Sequence, residues 1–166
     1  MADVAAKFEE AEIVPKIIPL PPLAKFDVQY EGIQFNPGDE LKTRQTKFNP
    51  RVTYPACPDD QYALIMIVVE NPRVAEWLHW LVVNIPGNCL IDGLLGGQTV
   101  MTYTGPTPGP RTGLHRYILL LWFQGNKRIG VQKPESRQKF KVAAFQEKHN
   151  LGQPIAGNFY VAQHEG

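Results

Sequence analysis

Three short runs, YALIMIVVE (62–70), EWLHWLVVNI (76–85) and HRYILLLWFQ (115–124), are apolar at odd and even positions alike. A strand with one wet face alternates apolar and polar residues, whereas a strand covered on both faces shows no alternation. None of the runs is long enough to cross a bilayer. Their β-branched and aromatic content, and the Gly and Pro around them, favour strands over helices. The runs therefore predict the central strands of a sheet, and the rest of the chain must cover that sheet from both sides.

The remaining segments suit that task. DVAAKFEEAEIV (3–14) reads as a short helix capped by Asp3 and stopped by Pro15. IIPLPPL (17–23) is an extended, proline-rich connector. AKFDVQYEGIQF (24–35) alternates and then turns at Glu31-Gly32, which predicts a hairpin. NPRVTYPACPDD (49–60) holds a short strand among prolines. The Gly/Pro-rich stretch 86–113 reads as loop with one short strand near Val100–Tyr103. SRQKFKVAAFQEKHNLG (136–152) is the clearest helix, with Ser136 as cap and Gly152 as stop. IAGNFYVAQ (155–163) is a last strand. The class is mainly β, a sandwich of sheets with helices towards the two ends, in a single domain over 1–166.

Composition excludes more than it selects. With 17 basic and 16 acidic residues the net charge is +1, which offers no electrostatic reason for a nucleic-acid partner or an anionic membrane. Cys57 and Cys89 fit no metal or redox spacing, and either free thiols or one disulfide would suit them. The start of the chain shows no apolar signal segment and the sequence no glycosylation acceptor, so the expected compartment is the cytoplasm. The lone serine, Ser136, lies in no nucleophile elbow, and neither cysteine is placed beside a histidine by the sequence, so hydrolase chemistry lacks a nucleophile. DGLLGGQT lacks the Gly-Lys-Ser/Thr ending of a phosphate loop. Asp59-Asp60 reads as a turn. Metal binding by His79, His115 and Glu70 is conceivable in geometry but has no supporting spacing. No cofactor is implied.

Polar groups nevertheless gather at the ends of the three runs. Glu70 closes the first, His79 lies near the start of the second, and His115 with Tyr117 opens the third. The short link NPRVA makes the first two antiparallel neighbours, so Glu70 and His79 share one sheet edge. The long loop before Gly113 can return His115 and Tyr117 to the same edge. Two imidazoles and a phenol at the mouth of apolar strands would offer hydrogen-bond donors to phosphate or carboxylate oxygens. Arg116 points to the opposite face, where an ion pair beneath the loop after Glu70 is expected.

At these residues the chain resembles the phosphatidylethanolamine-binding protein family, which includes the Raf kinase inhibitor protein. The resemblance rests on EWLHWLVVNIPGN, on YTGPTPGPRTGLHRYILLLWFQ with its Gly113-Leu114-His115-Arg116 motif, and on VPKIIPLPP and LGQPIAGNFYVAQ. It implies a β-sandwich of a large and a small antiparallel sheet, with a small anion pocket at the sheet end. His79, His115 and Tyr117 match pocket residues of the family, and Trp77 and Pro108 match pocket walls. Members bind phosphorylethanolamine-like head groups, several inhibit kinases or serine proteases, and none is established as an enzyme.

One segment departs from the family. Its Asp-Pro-Asp-x-Pro-Ser signature reads here Val68, Val69, Glu70, Asn71, Pro72 and Arg73, followed by a shorter loop. Val68 replaces a pocket aspartate and cannot accept a hydrogen bond from an ammonium group. Glu70 shares a face with Val68 in a regular strand and could reach the vacated space. The expectation is a monomeric, non-enzymatic binding protein for a phosphate-bearing small molecule or phospholipid head group, with a kinase or serine protease as protein partner. The alternative is a protein-interaction module whose pocket is vestigial.

Overall fold

The computed structural model describes residues 3–165. In chain order its elements are α1 (Val4–Glu10), β1 (Ala24–Lys25), β2 (Asp27–Tyr30), β3 (Ile33–Gln34), β4 (Asp39–Glu40), β5 (Arg51–Thr53), β6 (Gln61–Val68), β7 (Trp77–Pro86), α2 (Gly87–Asp92), β8 (Gln98–Met101), β9 (His115–Gly125), α3 (Val142–Lys148) and β10 (Ala156–Ala162). Among these residues the strands form one sheet of seven, in the order β1-β10-β9-β6-β7-β8 with β4 also on β10, and one of three, β3-β2-β5. The three apolar runs are adjacent central strands, as expected, with β6 antiparallel to both β7 and β9. The large sheet is mixed, however. The two-residue strands β1 and β4 lie parallel to β10 and divide its outer edge between them.

Both alternations of the central runs are buried, each in its own layer. Ala63, Ile65 and Ile67 of β6, with Ile118, Leu120 and Trp122 of β9, face a core closed by Val4 and Phe8 of α1 and by Val142 and Phe145 of α3. Tyr62, Leu64 and Met66, with Tyr117, Leu119 and Leu121, face the small sheet through Val28, Tyr30 and Val52. Helices, large sheet and small sheet are thus three layers around two apolar seams. The predicted hairpin joins β2 to β3, and Glu31 and Gly32 both take positive φ, 43° and 85°. That pair of left-handed residues is what a tight two-residue hairpin requires. At Gly157 a Cβ would lie 2.4 Å from Pro22 Cγ and 3.0 Å from Phe8 Cζ, so the proline-rich connector rests directly on the sheet there.

Three local expectations change. α1 has Asp3 as its cap, donating to it from Ala5 N–H at 3.1 Å, but it ends before Glu12, whose φ is 60°. The C-terminal helix covers only 142–148. Upstream of it Glu76 and Phe140 exchange backbone hydrogen bonds of 3.1 and 2.8 Å, and Lys139 N–H donates to Val74 O. These tertiary bonds hold 137–140 in a turn, with Lys139 at φ 57°, against helical propensity. Inside the stretch read as loop, 87–92 forms α2, ended by Gly93 at φ 70°.

Candidate functional site

The register of the large sheet brings the polar groups together. Val68, the last residue of β6, pairs with Trp77 on one side and Tyr117 on the other. His79 arrives by a different device. Met66 pairs with Trp80 and Ile67 with Leu78, so His79 is one residue too many in β7, a β-bulge. The bulge breaks the two-residue alternation. His79 therefore faces the same side as its neighbour Trp80, with its ring 5.4 Å from Tyr117 and 4.6 Å from Trp77. The His115 ring stacks over Tyr117 at 6.4 Å.

Two loops complete a cleft of about 520 Å³: the link after β6, with Arg73, and the stretch before β9, with Pro108 and Thr112. All seven residues singled out in the sequence, Val68, Glu70, Trp77, His79, Pro108, His115 and Tyr117, line it. Arg73 and Thr112 were not singled out. Thr112 sits three positions before His115, a spacing that could have flagged it, whereas nothing local marks Arg73. Among the described residues Arg73 makes no ion pair. No three of the described His, Cys, Asp and Glu side chains converge as a metal centre would require.

Hydrogen bonds fix what each ring presents. His79 Nδ1 lies 2.6 Å from Thr104 O. A carbonyl only accepts, so Nδ1 carries the proton and Nε2 keeps its lone pair. Burial, with the ring residue 2% exposed, pushes the His79 pKa down to about 4; the bond to Thr104 resists this and the nearby Arg137 charge adds to it. The anticipated N–H donor of His79 is thus already engaged, and the ring is a neutral acceptor. At His115, Nε2 lies 2.7 Å from Thr112 Oγ1, which itself sits 2.6 Å from Gly109 O. The threonine proton must go to that carbonyl, so His115 Nε2–H donates to Thr112.

Tyr117 remains a donor. Burial first, and the Glu70 charge second, raise its pKa far above neutrality. Among the described residues Gln61 Oε1 is the one sealed side-chain polar atom without a hydrogen-bond partner. The Tyr117 hydroxyl and His79 Nε2 have no protein partner either, and so they open into the cleft they line.

Glu70 does not occupy the space that Val68 leaves. Its Oε1 accepts from Arg116 backbone N–H, taking over the ladder just past the last β6–β9 pair. The Arg116 guanidinium reaches it at 3.2–3.3 Å through Nε and Nη2, and donates through Nη1 to Ala11 O. The expected ion pair beneath the loop is present, with Glu70 itself as partner. Behind the cleft, Arg137 donates to Leu78 O at 3.1 Å, His79 O at 2.9 Å and Thr102 O at 2.8 Å, and lies over the Trp77 ring. It clamps the bulge to the strand leading to Thr104.

Comparison with known proteins identifies the family and the fold. The sequence profile described as Phosphatidylethanolamine-binding protein matches residues 31–160. A Drosophila melanogaster protein with the provisional name odorant-binding protein A5 is 32% identical, over 93% of this chain and 78% of its own. The 26 kDa secreted antigen of Toxocara canis is 37% identical over 94% of this chain, which spans only 63% of the antigen's length. Among solved structures, the solution structure of CG7054 aligns with a TM-score of 0.71 at 34% identity over 92% of both chains. The phosphatidylethanolamine-binding protein of Plasmodium vivax (TM-score 0.77, 98% of both chains) and the carboxypeptidase Y inhibitor (0.78, 98% of this chain and 95% of that one) share the fold at 19% and 20% identity. The chain belongs to the phosphatidylethanolamine-binding protein family.

Proposed function

We propose that the cleft holds a small anionic head group, phosphate or phosphorylethanolamine-like, and that the chain acts by binding rather than by catalysis. The observation that carries this reading is the open Tyr117 hydroxyl, kept protonated by burial in an apolar-walled cleft that Arg73 also lines. A protonated phenol and an unpaired guanidinium are donors suited to an oxyanion, and water-poor walls strengthen such bonds. The one carboxylate of the cleft, Glu70, is paired with Arg116, which offsets its repulsion of an anion. Titration of inorganic phosphate followed by NMR tests the proposal. Shifts should centre on Tyr117, His79 and Arg73, and Tyr117→Phe should weaken binding about fivefold to tenfold, the worth of about 1–1.5 kcal/mol for one hydrogen bond. Phosphate binding untouched by Tyr117→Phe would overturn it.

A serine protease or kinase as protein partner, and the cytoplasm as compartment, belong to the same proposal. The fold shared with the carboxypeptidase Y inhibitor supports a protease partner, and two unpaired cysteines support the cytoplasm. The Toxocara relative is named as secreted, and cell fractionation decides the compartment. Among the described residues no helix is long and apolar enough to cross a membrane. Val68 at the head of the cleft favours a second reading, in which a protein surface is the partner and the cleft stays without a ligand. Absence of any phosphate binding would select it.

A further inference from the structure

We propose that the groove between the segment 131–141 and α3 docks an acidic peptide of a partner protein, with an apolar side chain of that peptide seated between flanking carboxylates. No residue lines both this groove and the cleft, so the proposal does not depend on what the cleft holds. Charge sets the face apart from the rest of the chain. Residues 127–149 carry seven Lys and Arg against two acids, Glu135 and Glu147, a net +5. The remaining residues carry ten against fourteen, a net −4. The near-neutral total thus conceals a basic stretch on an otherwise acidic molecule, and a basic face of this kind attracts an anionic partner.

The groove has a shape that suits a side chain. It holds about 550 Å³. Lys141, Ala144, Phe145 and Lys148 recur at helical spacing along one wall, and Val131 and Pro134 stand on the other. Three rings make the floor: Phe140 lies 5.7 Å from Phe145, which lies 4.8 Å from His149. Phe140 is only half-buried, and the exposed Ala144 beside it is too small to cover the rings. An apolar side chain placed there takes ring surface out of water.

The cations stand around that floor. Lys139 and Lys148 are exposed, and among the described residues neither forms an ion pair. Lys141 donates once, to Ala75 O at 3.1 Å, which leaves two N–H of its ammonium group for a ligand. Glu135 is the one acid of the groove. Lys141 and Lys148 are seven residues apart on the helix, about 10 Å at about 1.5 Å per residue. About three residues of extended chain span that distance. A peptide with acids on both sides of one aromatic residue therefore meets a cation at each end and the rings in between. Charge alone would also draw a phosphate backbone or an anionic lipid surface; the recessed apolar floor between the cations is what selects a peptide side chain.

NMR titration of the full chain with the peptide EEFEE, blocked at both ends, tests the proposal, with EEAEE and KKFKK for comparison. EEFEE should shift amides within 131–149 and leave those of His79, His115 and Tyr117 in place. EEAEE should bind at least about threefold more weakly, for want of the ring, and KKFKK should not bind. Raising the ionic strength from about 0.05 to about 0.5 M should weaken EEFEE severalfold. Lys139→Glu combined with Lys148→Glu should lower affinity for EEFEE at least about tenfold, with phosphate titration of the cleft unchanged. Should the double variant fail to fold, Lys148→Glu alone, on the exposed last turn of α3, decides the matter with a loss of about threefold. Shifts centred outside the groove, equal affinity for EEFEE and EEAEE, or an affinity unmoved by charge reversal overturns the inference. Failure of EEFEE to bind overturns it as well and leaves the reading of the cleft standing. A short DNA duplex, or vesicles containing phosphatidylserine, that shift the same amides at lower concentration than EEFEE would assign the face to another polyanion and equally overturn it.

Discussion

Acid should destabilise this protein through His79, by an amount the structure sets. The imidazole is pushed from its ordinary 6.5 down to about 4 by burial. A histidine with a depressed folded-state value binds fewer protons when folded than when unfolded. Stability is therefore complete above about pH 6.5, falls by about 1.4 kcal/mol per pH unit below it, and levels off near the folded value. The total over that window is about 3 kcal/mol. Glu76, whose carboxyl is raised by burial, acts in the opposite sense as the pH rises through its folded value, and His149 is depressed as His79 is. Both are common to wild type and His79→Asn, so the difference between the two isolates the ring. Urea unfolding of each at about pH 7.5, 6.5, 5.5 and 4.5 should give curves that converge as the pH falls, the variant losing the steeper limb. Parallel pH profiles for the two proteins would refute the assignment of His79 as a buried neutral ring.

Arg116→Ala removes an ion pair that is partly buried, with side-chain exposures of 27% and 18%, and should cost about 2 kcal/mol. Differential scanning calorimetry should show a Tm lower by about 4–8 °C, with phosphate affinity changed less than about threefold; the reverse ranking would make Arg116 a ligand residue. Gly157→Ala places a methyl against Pro22 and Phe8 and should destabilise by about 2 kcal/mol in urea; an unchanged midpoint would mean the connector is free to move off the sheet. Val68→Asp returns the carboxylate that the family resemblance leads one to expect beside Trp77 and Tyr117. It should raise affinity for phosphorylethanolamine relative to inorganic phosphate by about tenfold, the worth of one charge-assisted contact; a preference unchanged from wild type would show that no amine reaches position 68.

What the chain revealed in advance depended on where the deciding partner sits. The central strands were legible because burial on both faces removes the polar alternation from β6 and β9 themselves. Glu70, His79, His115 and Tyr117 were legible because each lies at or near the end of such a run, whereas Val68, Trp77 and Pro108 were reached only through the family resemblance. The bulge at His79 was not, because register is a property of two strands: Leu78, His79 and Trp80 look alike whether or not Met66 and Ile67 skip a residue between them. The role of the ring was hidden for the same reason, as its tautomer is set by Thr104, a carbonyl in another segment. The C-terminal helix was overread because 137–140 has helical propensity yet bonds through its backbone to 74–78. α2 was missed because its Gly, Asn and Cys are poor helix formers, and its ends are set by packing near β5 and β7.

The Arg137 clamp separates the residues that line the cleft from those that hold them. The lining of the cleft ends at Tyr117, while the guanidinium that ties the bulge to Thr102, and the Phe140 backbone that pairs with Glu76, come from later in the chain. A ribosome that has released Tyr117 has made every group of the cleft and none of its brace. The shape of the cleft thus arrives with the C-terminal segment, and a chain cut short before Arg137 would keep every lining residue yet lack the scaffold that aims them.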